Sequence, residues 1–116
     1  MLEGLWSAEF VSPVTNGPAG IAVFEAGRIV GGDGRYFYVG TYAVDGEVLM
    51  AEIKVTHYAG PTTPVFGPLR EFTLYLSGEP HRDQFKITGE GQEIPGIFID
   101  WQFTRRADLP APIAAR

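Results

Sequence analysis

Apolar and polar side chains alternate along most of this chain, in short runs separated by turn residues. In the first run, Gly4–Val11, the apolar residues Trp6, Ala8 and Phe10 alternate with polar ones. A period of two is typical of a strand with one buried face. Seven similar runs follow, so the pattern predicts eight strands: Gly4–Val11, Ala19–Glu25, Arg28–Val30, Arg35–Ala43, Glu47–Tyr58, Glu71–Leu76, Asp83–Thr88 and Gly96–Thr104.

Connections dense in glycine and proline separate these runs. The pairs Ala26-Gly27 and Asp45-Gly46 are typical of two-residue hairpin turns. We interpret Gly31-Gly32-Asp33-Gly34 as a sharp bend whose glycines need positive φ, with Asp33 capping the backbone of the turn. The remaining connections are predicted as loops or turns: Ser12–Pro18, Ala59–Pro68, Ser77–Pro80 and Gly89–Gln92.

Eight short strands joined by tight turns predict an all-β domain built as an antiparallel, up-and-down meander. A meander of this length removes its free edges by closing into a barrel. Eight strands leave an interior wide enough for side chains or for one small ligand. A two-sheet sandwich is the alternative, but the short links favour the barrel. We expect the barrel in residues 1–104 and a frayed tail in residues 105–116, where prolines and small residues dominate.

Composition narrows the class of protein. The 116 residues suffice for one domain, and 15 glycines, 9 prolines and a high aromatic content fit many turns between strands. A formal charge of −5 argues against nucleic acid as a partner. The absence of cysteine excludes disulfides and thiol catalysis. No apolar run is long enough for a membrane helix and no signal peptide is recognisable, so we expect a cytoplasmic protein.

Residues able to carry chemistry are few. His57 and His81 do not have the spacing of a metal site, and the glycine-rich turn lacks the helix of a phosphate loop. We therefore expect no metal and no cofactor. Asp100 lies in an apolar run and is predicted to face solvent; an inward Asp100 or Glu52 near His57 would be needed for acid–base chemistry. The sequence predicts that the protein is not an enzyme.

Six aromatic residues form the most informative group. They fall in the first, fourth and eighth runs: Trp6, Phe10, Tyr36, Tyr38, Tyr42 and Trp101. The first and last strands of a closed meander are neighbours, so Trp6 and Trp101 could meet across the closure. Three interpretations stay open for the six: core packing, the lining of an apolar ligand pocket, or a subunit interface.

The fourth run is apolar on both of its faces. Tyr36, Tyr38 and Tyr42 share one face, while Phe37 and Val39 lie on the other. One core cannot bury both faces. We therefore expect the surplus face to pack against a second copy in a two-fold homodimer.

An ordered set of residues resembles the GrlR family, which contains a bacterial negative regulator of type III secretion. The matching features are Gly4-Leu5-Trp6 with Phe10, the segment Gly20–Val23, the turn at Gly27, and Gly31-Gly32-Asp33 followed by Tyr38 and Gly40. They cover residues 4–58. The resemblance implies a small lipocalin-like, or calycin-like, barrel that forms a homodimer and restrains a transcriptional activator by protein contact, without touching DNA.

The resemblance also implies a binding segment. An acidic run in the hairpin between the fourth and fifth strands is linked to activator capture in the family. It falls here on residues 44–47, of which Asp45 and Glu47 are acidic, whereas Val44 and Gly46 depart from the pattern. Asp45 and Glu47 are thus the predicted partner-binding residues. The alternative function is that of a carrier for a small apolar ligand inside the barrel.

Overall fold

Eight antiparallel strands form in the computed structural model, which describes residues 2–11, 16–62 and 69–114. These residues contain no helix, and hence none able to span a membrane. The all-β prediction is confirmed. The strands are β1 (Gly4–Val11), β2 (Asn16–Glu25), β3 (Arg28–Gly32), β4 (Tyr36–Asp45), β5 (Val48–His57), β6 (Glu71–Gly78), β7 (Gln84–Gly91) and β8 (Ile94–Ala107).

The sheet closes on itself, as the meander predicted. Each strand pairs with its neighbours in sequence, and β1 pairs with both β2 and β8. Across the closure, Phe10 lies opposite Trp101, and Trp6 lies opposite Arg105. A closed sheet leaves no strand with a row of unpaired backbone groups.

Several predicted loops are shorter than expected. β2 begins at Asn16 rather than Ala19, and residues 12–15 lie outside the described residues. The prediction of a loop at Gly89–Gln92 is wrong, because β7 continues to Gly91 and the turn follows at residues 92 and 93. A Cβ on Gly89 would lie 1.9 Å from the backbone oxygen of Tyr75, so this glycine serves close strand packing. In the predicted loop 59–68, residues 59–62 form no strand and residues 63–68 lie outside the described residues.

β8 is longer than predicted at both ends. It begins at Ile94 and runs to Ala107, three residues past the predicted end of the barrel at Thr104. The pairing of Leu5 with Ala107 extends the strand, and Arg105 anchors it. The Arg105 side chain donates from Nε to the Arg82 carbonyl at 2.7 Å and from Nη1 to the Glu3 carbonyl at 2.9 Å. Residues 108–114 form neither helix nor strand.

Alternation within each strand places the core inside the barrel. In β5, Leu49, Ala51, Ile53 and Val55 are buried, whereas the residues between them are exposed. Each large apolar side chain buried in this way contributes about 1.5–3 kcal/mol. The β2–β3 turn forms at Ala26 and Gly27 as predicted, with φ of 52° and 77°. The β4–β5 turn lies one residue later than predicted, at Gly46 and Glu47, because Asp45 still pairs with Val48; Gly46 has φ of 63°.

Candidate functional site

The aromatic residues singled out from the sequence form the filling of the barrel. Trp6, Phe10, Tyr36, Tyr38 and Trp101 are each at most 1% exposed. Phe10 stacks on Trp101 with ring centroids 4.3 Å apart, and Tyr38 meets Trp101 edge-on at 4.9 Å. These contacts correspond to the core-packing interpretation. In a single closed barrel these five side chains do not reach the outer surface.

Two details differ from the sequence interpretation. Trp6 and Trp101 are not cross-strand partners, because the register of β1 on β8 places Phe10 opposite Trp101. Trp6 instead lies beneath the Arg105 guanidinium, whose carbon is 4.5 Å from the ring centroid. Tyr42 is only half-buried and packs against Phe24 at 5.2 Å.

Asp33 links the turn before β4 to this interior. Its Oδ1 accepts hydrogen bonds from the backbone N–H groups of Arg35 and Tyr36 at 2.7 and 2.8 Å. Its Oδ2 accepts the hydroxyl of Tyr38 at 2.5 Å. The predicted backbone cap is confirmed. Burial, followed by the hydrogen bond to Asp33 and the charge of that carboxylate, raises the pKa of Tyr38 far above its ordinary value.

The glycines around Asp33 have another role than the predicted one. None of Gly31, Gly32 and Gly34 has positive φ. A Cβ on Gly31 would lie 1.9 Å from the backbone oxygen of Ile21, so this glycine lets β2 and β3 approach. The interpretation as a bend requiring positive φ is therefore wrong.

Both histidines have structural partners. His57 ends β5; its Nδ1 lies 3.1 Å from an Arg70 guanidinium nitrogen and its Nε2 lies 2.6 Å from the Gly60 carbonyl oxygen. Guanidinium only donates, so Nδ1 accepts, and Nε2 carries the proton given to Gly60. His81 Nε2 lies 3.5 Å from a Glu79 carboxylate oxygen.

The remaining chemistry-bearing groups do not converge. Asp100 lies on the outer side of β8, where it accepts the hydroxyl of Thr88 at 2.7 Å and lies 3.5 Å from Lys86 Nζ. The predicted solvent-facing orientation is thus confirmed. Within the described residues, no three histidine or carboxylate side chains are placed to hold a metal ion.

An apolar band follows the outer surface of the first half of the barrel. Its residues are direct cross-strand neighbours on β1 to β4, and we call them the aliphatic row: Leu5, Val23, Val30 and Val39. Val39 is 52% exposed and Val30 45% exposed. Exposed Ile21 and Phe37 widen the band on one side, which makes a contiguous apolar surface. This is the surplus face that the sequence predicted for the fourth strand.

The other half of the barrel carries a different row, which sequence reasoning missed. Carboxylates and aromatic rings alternate there as direct cross-strand neighbours on β5 to β8, and we call them the acidic–aromatic row: Glu52, Tyr75, Glu90 and Phe98. The signal is hidden in the sequence because its members are far apart along the chain. Only the strand register brings them together, and Glu90 falls in a predicted loop.

The predicted partner-binding residues lie at the tip of the β4–β5 hairpin. Asp45 ends β4, Glu47 follows Gly46 in the turn, and both side chains are exposed. Val48, opposite Asp45, is also exposed, so the tip presents two carboxylates beside an apolar side chain.

Neither of two comparisons with known proteins identifies a relative of this chain. A scan against models of protein families finds no match to this chain, and a search among curated proteins finds no significant match.

Proposed function

We propose that this protein is a non-enzymatic binding protein that acts through the outside of its barrel and pairs with a second copy through the aliphatic row. The observation that carries the proposal is the alignment of four apolar side chains on neighbouring strands, with the outermost, Val39, 52% exposed. Apolar surface of this kind marks interaction sites on soluble domains.

Charge favours a second copy on this face. A two-fold interface brings the same surface together twice, so the surface must complement itself. Each chain carries a formal charge of −5, which makes acidic surfaces repel their own copies. The aliphatic row contains no charged residue, and Ile21 and Phe37 beside it add apolar area.

Sedimentation velocity at tens of micromolar tests the pairing. We expect the wild type to sediment as a dimer and Val39→Lys as a monomer, because the interface would bury an unpaired ammonium group. Val48→Lys is the matched control, since Val48 is 48% exposed but lies at the β4–β5 hairpin; it should remain dimeric. A monomeric wild type, or equal dissociation of both variants, would contradict the proposal.

The resemblance to the GrlR family supports a regulatory role in bacteria. We propose that the bound partner is a protein, with a transcriptional activator of type III secretion as the candidate, and that Asp45 and Glu47 contact it. Exposed carboxylates at a hairpin tip mainly change association rate and specificity. Recovery of a partner from bacterial lysate should fall for the double variant Asp45→Ala/Glu47→Ala. If the wild type and the double variant recover the same amount of partner, Asp45 and Glu47 do not contribute to binding.

A carrier of a small apolar ligand is the second candidate. One observation favours it: the indole Nε1 of Trp101 is buried and finds no acceptor among the described residues. The tight ring packing around Trp101 argues against it, because Phe10 and Tyr38 occupy the space beside the indole. Native mass spectrometry of the purified protein decides the matter: a copurified ligand supports a carrier, and a bare chain opposes it.

A further inference from the structure

The acidic–aromatic row stands between two open clefts. Tyr75 and Ser77 line both of them. One cleft, of about 440 Å³, also includes Met50 and Glu52, and the other, of about 620 Å³, includes Glu90 and Phe98. The ring of Phe98 is 58% exposed and that of Tyr75 49% exposed. Two exposed rings therefore line these clefts, each with a carboxylate of the row beside it.

The carboxylates of the row have no cationic partner within the described part of the chain. The lysines on the same strands are engaged elsewhere, Lys54 with Glu71 at 3.2 Å and Lys86 with Asp100 at 3.5 Å. Glu52 and Glu90 form no such ion pair among the described residues. Unneutralised negative charge beside exposed rings is an arrangement that attracts cations.

Backbone contacts orient part of this charge. Glu90 accepts the Gly96 N–H through Oε2 at 2.7 Å, which directs its other oxygen away from that bond. The nearby Glu93 accepts the Thr73 N–H through Oε1 at 2.8 Å. Desolvation, then the charge of Glu52, the hydrogen bond of the phenol to that carboxylate and the charge of Glu93, raise the pKa of Tyr75.

We propose that the acidic–aromatic row binds a lysine- or arginine-rich segment of a partner protein. The cations of the segment lie beside Glu52 and Glu90, and its methylene groups and apolar side chains pack on Tyr75 and Phe98. Long basic side chains suit this surface, because they combine an apolar stem with a charged end and bind aromatic faces. The proposal does not depend on the aliphatic row, which lies on the other four strands.

Charge selects this occupant over the others. A second copy would add two more unpaired carboxylates of Glu52 and Glu90 to the interface and no cation to neutralise them, so like charges would accumulate there and repel one another. Nucleic acids and anionic lipid surfaces carry the same sign as the row and are repelled as well. A basic peptide brings the opposite sign, and steering by charge accelerates its association.

Fluorescence anisotropy with a labelled probe tests the proposal. The probe is a short synthetic peptide of leucine and lysine in helical spacing, and its counterpart has glutamate in place of lysine. We expect only the lysine peptide to bind. Glu52→Gln should weaken binding about threefold, and Glu52→Gln/Glu90→Gln about tenfold, as expected for exposed charge pairs. Phe98→Ser should weaken binding to a similar extent through lost contact with the ring.

Matched variants keep the result specific. Glu9→Gln changes an exposed carboxylate on β1, where Glu9 lies opposite Gln102 of β8 and outside the row, and should leave binding unchanged. Val39→Lys should change only the oligomeric state, so failure of the dimer and failure of this site are distinguishable. Equal binding of the glutamate peptide, equal weakening by Glu9→Gln, or unchanged binding in the row variants would overturn the proposal. So would dissociation of a dimer by Phe98→Ser, which would assign the row to a second copy.

Discussion

Asp33 connects the turn before β4 with the interior of the barrel. Its carboxylate caps the turn that leads into β4 and accepts the hydroxyl of Tyr38, whose ring packs against Trp101. The backbone carbonyl of Asp33 accepts the hydroxyl of Tyr58 at 2.5 Å. One side chain therefore joins a surface turn to the interior, and the cap itself was predictable because aspartate commonly bonds its own turn.

Tyr38 should make stability fall at alkaline pH. Its pKa is raised in the folded protein, so the folded chain keeps a proton that the unfolded chain releases above about pH 10. The contribution is complete below that pH and decreases above it, by about 1.4 kcal/mol per pH unit. Urea unfolding of Tyr38→Phe should show a shallower decline above pH 10. It should also show a loss of about 1–3 kcal/mol at neutral pH, because Oδ2 of Asp33 loses the hydrogen bond from Tyr38.

The wild type and Tyr38→Phe are thus expected to differ in two quantities: the free energy of unfolding at neutral pH, and the slope of its decline with pH above pH 10. Tyr75→Phe is the control at neutral pH, since its ring is exposed and its hydroxyl should contribute little. Identical alkaline slopes for wild type and Tyr38→Phe would show that the phenol ionises as freely in the folded chain as in the unfolded one.

At the scale of elements, close pairing of β2 and β3 depends on Gly31. A Cβ there would lie 1.9 Å from the Ile21 oxygen and 2.7 Å from the Ala22 Cα, both backbone atoms that cannot rotate away. Gly31→Ala should therefore destabilise the protein by about 3 kcal/mol, as overpacking does. Gly34→Ala, in the same motif, meets no atom within 4 Å and should stay within about 0.5 kcal/mol of wild type. Urea unfolding of both variants measures the difference.

A larger loss of stability for Gly34→Ala than for Gly31→Ala would contradict the close-packing role of Gly31 and support the original interpretation of Gly31–Gly34 as a turn.

The two glycines also show where sequence patterns are informative. Alternation in β1 and β5 identifies the strands because one face of each is buried. Glycine is ambiguous, since turns and tight strand contacts both require it: Gly46 is a turn residue with φ of 63°, whereas Gly89 lies within β7. Local sequence does not distinguish the two uses.

At the scale of the whole molecule, the number of strands and their short links were sufficient to predict closure. The surface was less predictable. The excess of apolar residues in β4 pointed to the exposed face that contains Val39. Assembly of Glu52, Tyr75, Glu90 and Phe98 depends on the registers of three strand pairs at once. A slip of one residue in any of them would place the next residue on the outside and break the row.

The pairing of β1 with β8 predicts that the two ends of the chain can be joined. Leu5 and Ala107 are cross-strand partners, so the beginning of β1 and the end of β8 are neighbours. In one circular permutant, Arg116 is joined to Met1 and the chain is opened between Asp45 and Gly46. All eight strand pairs can still form in it, and only the covalent link between β4 and β5 is lost. We expect it to fold, with a far-UV circular dichroism spectrum like that of wild type. A second permutant, opened between Tyr38 and Val39, divides β4 and should not fold, because each half loses register with β3 and β5. Failure of the first permutant to fold would contradict the proximity of the two ends that the β1–β8 pairing gives, and folding of the second would show that β4 need not be continuous.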